Sequence, residues 1–447
     1  MNERMKHISD AVEKYSKLIL EAERHIWKNP ETGYKEEKTS KYLEGKFKEM
    51  GYNTTPAGDI PGFCAELDTG RKGPCVLVLG EMDSLICAEH PECDPVTKAA
   101  HVCGHNAQTA ALLGVAAALA DSDIAENWSG KVRFCAVPAE ELIEIGFRDT
   151  LKEKGIIKYY GGKTEFLYRG YFDGADMAMM VHARACEGFY FNAGSVGCLA
   201  KKIVYKGKSA HAGGAPHEGI NALYAANLGL SAVNALRETF RECDTIRFHP
   251  IITKGGSAVN AIPDEVIVES YVRGMTLDAI ERENNKINRA LTAAAAAMGA
   301  NVEIFDNPGY SPYVTDKNFA EAALKSVSGT PYEYKFNFGE TETSSTDMGD
   351  LSSVMPTIQP YAGGAVGTQH GKDFYIKDPQ TACVDNAKVQ IRILDELLCG
   401  GAETAIKIAA EAKPLFASKE DYFKKIDSLV QSGDRIKYED GRIILRG

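Results

Sequence analysis

Acidic, histidine and cysteine side chains follow predicted strands, or precede a predicted helix, at four separate places in the sequence. They are Asp83, Cys103, His105, Glu140, Glu141 and His182. Because ligands of open α/β sheets bind beyond the carboxyl ends of the strands, these side chains are expected at one edge of one sheet. Imidazole nitrogen, thiolate and carboxylate together form a donor set that Zn²⁺ or Mn²⁺ accepts. The pattern therefore predicts a site for a divalent transition metal.

The spacing within this set suggests how the roles are divided. A single glycine separates Cys103 from His105, so both side chains can turn toward one centre. Of the adjacent pair Glu140 and Glu141, one carboxylate can bind metal while the other takes a proton from the metal-bound water. Asp83 can hold a ligand histidine in one tautomer from outside the metal's ligand shell.

Each motif taken alone also has an ordinary explanation. A Cys-x-His pair can arise by chance, a Glu-Glu pair can lie in a solvated loop, and His182 can be a buried histidine with satisfied hydrogen bonds. Asp83 can be a helix cap. Cys103 acting as a nucleophile with His105 is a weaker alternative, because adjacent loop positions rarely give the attack geometry and no third group orients the pair. The joint placement of the motifs favours the metal.

The segments around these residues alternate between strand and helix patterns. Continuous apolar runs of strand length, typical of sheets covered on both faces, occur at residues 75–80, 132–137 and 177–181. Helices are predicted at residues 8–26, 36–50 and 107–119, with Gly51 capping the second. This alternation predicts an α/β layer with a mainly parallel sheet.

The pattern changes near residue 193. A half-buried strand is predicted at residues 201–206, a Gly-rich loop at 207–219, a helix at 221–241, strands at 245–253 and 265–272, and a helix at 277–298. This order predicts a small α+β insert with one open sheet face. After residue 306 the chain is expected to return to the first domain and to end with helices near residues 386–412 and 419–431.

Length, charge and composition limit the possible functions. A chain of 447 residues is too long for one core, so two domains are expected. A formal net charge of −11 opposes binding to nucleic acid or to anionic membranes. The start of the chain has no apolar signal segment, and the apolar runs are too short to cross a membrane. With eleven cysteines expected as free thiols or metal ligands, the protein is expected in the cytoplasm.

The motifs, taken in order, resemble those of the aminoacylase and carboxypeptidase metallohydrolases, peptidase family M20, subfamily D. The resemblance is to the branch with the indole-acetyl-amino-acid hydrolases and aminobenzoyl-glutamate hydrolases. It spans most of the chain. The matching stretches include GEMDSL (80–85), HVCGHNAQTA (101–110), PAEE (138–141), VHA (181–183), GKSAHAGGAPHEGINAL (207–223), NAIPDE (260–265), SSTDMGDLSSVMPT (344–357) and GTQHGKDF (367–374).

This resemblance implies a zinc-peptidase-like α/β/α catalytic domain with an inserted α+β lid or dimerisation domain. The expected boundaries are 1–192 and 306–447 for the catalytic domain and 193–305 for the lid. It implies two divalent metal ions per subunit, Zn or Mn, with Glu140 as the general base. The implied metal ligands are Cys103, His105, Glu141, His182 and His370.

The resemblance also implies residues that contact the substrate, and a homodimer. His211 resembles a histidine that reaches the substrate carbonyl, often from the partner subunit, where it can stabilise an oxyanion. Asn260 and Arg273 resemble residues that hold a substrate carboxylate, for which a guanidinium is well shaped. From the residues alone, His211 could equally be a loop histidine and Arg273 a surface charge.

The sequence departs from the family pattern at two positions and in one segment. The family often has Asp and His where this chain has Asn106 and Gln108, and Asn106 favours the aminobenzoyl-glutamate branch. Residues 142–173 are longer than usual and rich in Tyr, Phe, Lys and Arg. They either shape the substrate pocket or form a surface insertion.

The expected activity is hydrolysis of the amide bond of a small N-acyl or N-aroyl amino acid or a dipeptide-like molecule, with Glu140 activating a metal-bound water. The expected substrate carries an amide bond and a carboxylate. One alternative keeps the metal but cleaves another C–N bond, as an aromatic aminohydrolase (deaminase) does. Another is a non-catalytic binding homologue, although such a protein has no need of Glu140.

Overall fold

The chain forms two compact units that alternate along the sequence. The computed structural model describes residues 3–440 and 442–445, with the backbone alone at residues 334–340. The first unit runs to Gly194 and includes Tyr313–Glu342 and Asp347–Lys419. The second consists of Ser195–Pro312, Thr343–Thr346 and the chain from Glu420 onward. The sequence prediction gave residues 306–447 wholly to the catalytic domain, whereas the structure groups the last segment with the second unit.

The helices and strands follow one another in mixed order. The helices are α1 (Glu3–Glu13), α2 (Ser16–Trp27), α3 (Glu37–Glu49), α4 (His105–Ala120), α5 (Ile145–Glu153), α6 (Gly162–Tyr168), α7 (Ala222–Leu236), α8 (Leu277–Ala297), α9 (Lys317–Val327), α10 (Met348–Ser352), α11 (Asn386–Leu398), α12 (Glu403–Glu411) and α13 (Lys419–Ser428). The strands are β1 (Thr54–Pro56), β2 (Phe63–Asp68), β3 (Cys75–Glu81), β4 (Leu85–Ile86), β5 (Ala99–Ala100), β6 (Lys131–Val137), β7 (Met177–Met179), β8 (His182–Ala183), β9 (Phe189–Ser195), β10 (Gly197–Lys206), β11 (Arg247–Phe248), β12 (Ile251–Lys254), β13 (Glu265–Gly274), β14 (Asn301–Tyr310), β15 (Tyr313–Val314), β16 (Tyr334–Glu342), β17 (Thr357–Ile358), β18 (Tyr361–Ala362), β19 (Ala365–Val366), β20 (Tyr375–Ile376), β21 (Ile436–Glu439) and β22 (Arg442–Leu445).

The first unit is built on a six-stranded sheet with the order β1-β2-β6-β3-β7-β17. Strands β6, β3, β7 and β17 are parallel, while β1 and β2 join antiparallel at one edge. Helix α4 packs on β3 and β6, and α6 packs against β6. Every residue of β3 is buried, as its continuous apolar sequence predicts. The predicted α/β class with a mainly parallel sheet is confirmed.

Helix α4 lies close to the sheet because small residues line the contact. A Cβ on Gly80 of β3 would lie 3.1 Å from Leu112 and Thr109 of α4, and a Cβ on Gly114 would lie 2.5 Å from Ile19 of α2. All of α4 from His105 to Leu119 is buried. The helix is therefore fixed at the sheet edge where the predicted metal ligands lie.

The second unit contains an antiparallel sheet with the order β11-β13-β10-β14, and β12 pairs with β13. Buried and half-buried residues alternate strictly along β13, because one face of the sheet packs against α7 and α8. This agrees with the predicted α+β insert. Strand β14 was not predicted, because buried Asp306 and Pro308 interrupt its apolar alternation.

Two other details differ from the sequence prediction. The helix expected at residues 8–26 is divided into α1 and α2 at Lys14 and Tyr15. The chain from Glu420 onward belongs to the second unit, and its backbone pairs with β14, with Asp306 N donating to Gln431 O over 2.8 Å. Among the described residues, no helix is both long and apolar enough to cross a membrane.

Candidate metal centre and active site

The site lies where the parallel strands of the first unit end. Strand β3 ends at Glu81, and Asp83 follows it with no exposed surface. Strand β6 ends two residues before Ala139, and β8 begins at His182. The carboxyl ends of parallel strands meet at one edge of the sheet, so these separate segments deliver polar side chains to one place.

The loop that carries Cys103 and His105 is held against the neighbouring strand by a glycine. Gly104 has φ +92°, and a Cβ there would lie 3.1 Å from the Ala183 side chain. Only glycine meets both conditions without strain. His105 then begins α4, and the Cys103 and His105 side chains both point into the site, as the Cys-x-His spacing suggested.

His105 is oriented by Asp83. Its Nδ1 donates to the Asp83 carbonyl oxygen over 2.9 Å and to Oδ1 over 3.0 Å. The Nε2 lone pair therefore faces the site. The other Asp83 oxygen accepts from the Glu141 backbone N–H over 2.8 Å, which links the two acidic segments. The arrangement matches the orienting role proposed for Asp83.

His182 is oriented in the same way by its own backbone. Its Nδ1 donates to the Ala183 carbonyl oxygen over 2.6 Å, which leaves Nε2 free to face Cys103 Sγ at 3.5 Å. The His182 and His105 rings meet edge to face, with centroids 5.4 Å apart. Both imidazoles thus direct Nε2 at the Cys103 sulfur.

The Glu140–Glu141 pair lies on a constrained loop. Ala139 has φ +56°, a conformation that costs an L-residue free energy and is retained mainly at functional sites. Buried Glu36 accepts from the Ala139 N–H over 2.7 Å, and the buried Arg148 guanidinium donates to the Glu141 carbonyl oxygen. The loop is therefore supported from two sides.

His370 comes from the far end of the sequence. Its backbone has φ +65°, and its N–H donates to the Val102 carbonyl oxygen over 2.8 Å. Its Nε2 lies 3.1 Å from Glu141 Oε1, and the neighbouring Gln369 donates to Cys103 Sγ over 3.3 Å. Half of the His370 side chain is exposed, in contrast to the buried His105 and His182.

The five predicted ligands fall into two groups that share one thiol. Ligand atoms lie within 4.8 Å of one another in each group, and the groups are Cys103, His105 and His182, and Cys103, Glu141 and His370. For bonds of about 2.0–2.3 Å to a four-coordinate ion, ligand atoms are separated by roughly 3.3–3.6 Å. Cys103 Sγ and His182 Nε2, at 3.5 Å, and His370 Nε2 and Glu141 Oε1, at 3.1 Å, lie close to this separation. His105 Nε2 and Glu141 Oε1 are buried, and the polar atoms close to them, Glu81 Oε2 at 3.2 Å and His370 Nε2 at 3.1 Å, are themselves potential metal donors. The donor set fits divalent metal.

The charges within the site are strongly coupled. Burial alone would raise the pKa of the Cys103 thiol, but the His105 and His182 imidazoles hold that pKa well below its ordinary value. Burial, followed by the charges of Glu81 and Glu141, raises the pKa of the Glu140 carboxyl well above its ordinary value. A thiolate is the form of cysteine that binds metal, and a carboxylate of raised pKa is a better proton acceptor.

The three substrate residues predicted from the resemblance all lie in the second unit. His211 is exposed, and its Nδ1 accepts from the N–H groups of Gly213 and Gly214 at 3.2 and 2.9 Å. The Asn260 carbonyl accepts from the Ala212 N–H over 2.9 Å, so the His211 and Asn260 loops are joined.

Arg273 occupies a different part of the second unit. It lies on β13 and donates from Nε to His249 Nε2 over 3.1 Å and from Nη1 to Ser345 Oγ over 2.8 Å. Its guanidinium also lies 5.4 Å from the centre of the Tyr271 ring. The side chain is thus held in one orientation by neutral partners, and its charge is not neutralised by these contacts.

Both departures from the family pattern have a structural partner. Asn106 Nδ2 donates to the buried Glu23 carboxylate over 2.7 Å, a bond that an ionised Asp could not make. Gln108 Nε2 donates to Glu81 Oε2 over 2.6 Å. Each amide therefore donates a hydrogen bond to a buried carboxylate, Asn106 to Glu23 and Gln108 to Glu81.

Sequence reasoning missed a buried ion cluster beside the site. Lys163 Nζ pairs with Glu81 and with Asp347, and all three side chains are fully buried. Burial raises the pKa of Asp347 to about 7, against the opposing effect of Lys163. Glu81 could have been suspected from its position at the end of an apolar strand. Lys163 gave no such signal, because no strand pattern precedes it and both of its partners are distant in the sequence.

Comparisons with known proteins show which class of enzyme this chain is similar to. The family described as the peptidase dimerisation domain of M20 enzymes matches residues 193–298. A p-aminobenzoyl-glutamate hydrolase component from Escherichia coli K12 is 26% identical over 404 residues, which cover 85% of this chain and 76% of that protein. The Xaa-Arg dipeptidase of Mus musculus is 28% identical over 365 residues, 79% of this chain and 77% of that protein.

The same architecture occurs in a solved structure. A dinuclear metal-binding peptidase of the M20 family from Bacillus subtilis superposes with a TM-score of 0.63 at 19% identity, covering 89% of this chain and 99% of that one. The similarity to this structure supports the fold, whereas the sequence similarity to the two relatives above supports the class of enzyme. The recognition made from the motifs is therefore confirmed: the chain is similar to hydrolases and peptidases of the M20 family, whose dimerisation domain matches residues 193–298, and these relatives support a metal-dependent amidohydrolase.

Proposed function

We propose that this protein hydrolyses the amide bond of a small N-acyl or N-aroyl amino acid, or of a dipeptide-like molecule. The observation that carries the proposal is the convergence of two potential metal-binding groups that share Cys103, with the buried Glu140 carboxylate beside them in a third group with Glu81 and His105. A hydrolase needs both metal ligands and a separate base, whereas a binding protein needs no base. The names of the two relatives above, a p-aminobenzoyl-glutamate hydrolase and a dipeptidase, support the same substrate class.

The proposed metal ligands are the five residues of the two groups, with Cys103 shared between two ions. When bound, Zn²⁺ or Mn²⁺ supplies Lewis acidity that polarises the scissile carbonyl and acidifies water. The Nδ1 atoms of His105 and His182 each donate a hydrogen bond to a backbone carbonyl oxygen, so the orientation of both rings is set before an ion binds. The donor set combines thiolate and imidazole, which suit Zn²⁺, with carboxylate, which suits Mn²⁺.

Glu140 is proposed as the general base and then the general acid. Its Oε2 lies 4.0 Å from His105 Nε2, so it borders the ligand cluster and can accept a hydrogen bond from a water held there. In the proposed reaction it accepts a proton from the attacking water and later delivers that proton to the leaving nitrogen. Asp83 orients His105 throughout, through the Nδ1 hydrogen bonds.

The second unit is proposed to bind the substrate's polar ends. Arg273, assisted by Asn260, would hold a carboxylate, since a guanidinium offers two parallel charge-assisted hydrogen bonds. His211 would stabilise the oxyanion, and its Nε2 is available because Nδ1 accepts from two backbone N–H groups. We further propose a homodimer formed through the dimerisation domain.

A cytoplasmic location is proposed on the state of the cysteines. All eleven are free thiols, even though Cys64 and Cys135 lie opposite each other with their sulfurs 3.2 Å apart. Free thiols in such number are typical of a reducing compartment.

A substrate panel combined with an Arg273 variant tests the function. The metal-loaded protein is expected to release free amine from N-acyl amino acids and dipeptides. Arg273→Ala is expected to raise KM about 10- to 100-fold for these carboxylates, because charge-assisted hydrogen bonds contribute about 1.5–3 kcal/mol. For matched amides without a carboxylate, KM should hardly change. Steady-state kinetics on both substrate sets provides the measurement.

Arg282→Ala is the matched control. It removes another guanidinium of the second unit, one that pairs with Asp244 and with the buried Glu283, and it should leave KM unchanged. Equal KM values for wild type and Arg273→Ala on carboxylates would contradict the assigned role. Release of ammonia from aromatic amines instead would indicate an aminohydrolase. Binding of the panel without any product would indicate a non-catalytic homologue.

A further inference from the structure

Lys163 connects the unusual segment 142–173 to the metal-directed cluster. The lysine lies on α6, whose residues from Gly162 to Leu167 are all buried, so this part of the segment is not a surface insertion. Its Nζ pairs with one oxygen of Glu81 and with Asp347. Two carboxylates therefore share one ammonium group, and this buried cluster carries more negative than positive charge.

The other oxygen of Glu81 faces the histidines of the first ligand group. Glu81 Oε2 lies 3.2 Å from His105 Nε2 and 3.9 Å from His182 Nε2, and these are the same ring nitrogens that approach Cys103. Gln108 Nε2 donates to this oxygen over 2.6 Å. Each Glu81 oxygen thus has a dedicated donor, and Oε2 is held in the direction of the ligand cluster.

The segment that carries Lys163 is itself tied to the Glu140 loop. The Lys163 N–H donates to Asp347 Oδ2 over 3.0 Å, and Thr164 Oγ1 donates to Asp350 over 2.6 Å. The Gly162 N–H donates to the Ala139 carbonyl oxygen over 3.1 Å. A shift of α6 would therefore move Glu81 and the loop that carries Glu140 together.

We propose that Glu81 is a sixth metal ligand, which binds the ion held by His105 and His182. Lys163 and Gln108 are then the positioning residues that orient the Glu81 carboxylate. This inference rests on the proposed metallohydrolase function. It makes the two ion positions unequal, because the first gains a fourth protein group while the second keeps Cys103, Glu141 and His370. Outer-shell hydrogen bonds to a ligand carboxylate typically change metal affinity 10- to 100-fold, so Lys163 should have a measurable effect.

The inference is tested by Zn²⁺ binding to Lys163→Met, measured by competition with a chromogenic chelator. Wild type is expected to bind two ions per subunit. The variant should bind one of the two about 10- to 100-fold more weakly and keep the affinity of the other. Lys201→Met is the matched control, because Lys201 is equally buried and paired with Asp306, but in the second unit. That variant should bind both ions as wild type does.

Gln108→Met decides the question if Lys163→Met does not fold. It removes the donor to Glu81 Oε2 without exposing a buried charge, and it should weaken the same ion about tenfold. Wild-type affinity for both ions in Gln108→Met, or in a folded Lys163→Met, would overturn the inference and reduce Glu81 to a structural partner of Lys163. Wild type that binds two Zn²⁺ ions but hydrolyses no substrate would instead refute the proposed function alone.

Discussion

Replacement of Glu140 by Gln is expected to lower kcat by about 100- to 10,000-fold, the usual contribution of a general acid–base group. Gln has nearly the same shape as Glu but cannot accept the proton of the attacking water. Glu140 groups with Glu81 and His105 but is not a member of either group that contains Cys103. Because both of those groups stay intact, the metal content of the variant should match that of wild type. Steady-state kinetics together with elemental analysis of the purified protein measures both quantities.

Glu144→Gln provides the control for this variant. Glu144 follows the catalytic loop closely, but its carboxylate is bound by Thr32 and Lys35 at 2.6 and 2.7 Å. The substitution should leave kcat within a few-fold of wild type. Full turnover by Glu140→Gln with both metals present would remove Glu140 from the mechanism. A loss of metal in the same variant would instead identify it as a ligand.

Replacement of Cys103 by Ala is expected to abolish tight binding of both ions and to lower activity by more than about 100-fold, the effect that loss of even an outer-shell partner can have. Cys103 is the only residue common to its two ligand groups within the described structure. His105 and His182 hold it as a thiolate, so it also supplies negative charge that both cations require. Chelator competition and activity assays provide the measurement.

Cys383→Ala distinguishes this effect from the loss of a buried thiol in general. Cys383 is also fully buried, but burial raises the pKa of its thiol well above the ordinary value, so it stays protonated and apolar. Its variant should keep both ions. Removal of the metal from wild-type protein with a chelator tests whether Cys103 is instead a nucleophile. If Cys103 were a catalytic thiol, the protein would stay active without metal, whereas if Cys103 is a metal ligand, activity should be lost.

The parts of the fold that could be predicted are those with uninterrupted patterns. Strand β3 and helix α4 are buried throughout, so their apolar runs were unambiguous in the sequence. Strand β14 was missed because Asp306 is buried in an ion pair with Lys201, which places a charge where the alternation requires an apolar residue. Buried ion pairs hide periodicity, since their partners can be identified only in three dimensions.

The same reason explains which parts of the site could be foreseen. Asp83, Glu140 and His182 follow strands that point to one edge, so their proximity followed from topology. Lys163 could not be found in this way, because its partners Glu81 and Asp347 lie 82 and 184 residues away in the sequence. His370, near the end of the chain, was identified only from its motif, since no strand pattern precedes it.

Anomalous diffraction from crystals grown with Mn²⁺ or Zn²⁺ tests the central claim most directly, because it locates each ion by its own scattering. Two ordered peaks are predicted, one in contact with Cys103, His105 and His182, and the other in contact with Cys103, Glu141 and His370. Well-ordered crystals with no peak among these side chains, or with the ions bound by other residues, would contradict the assignment.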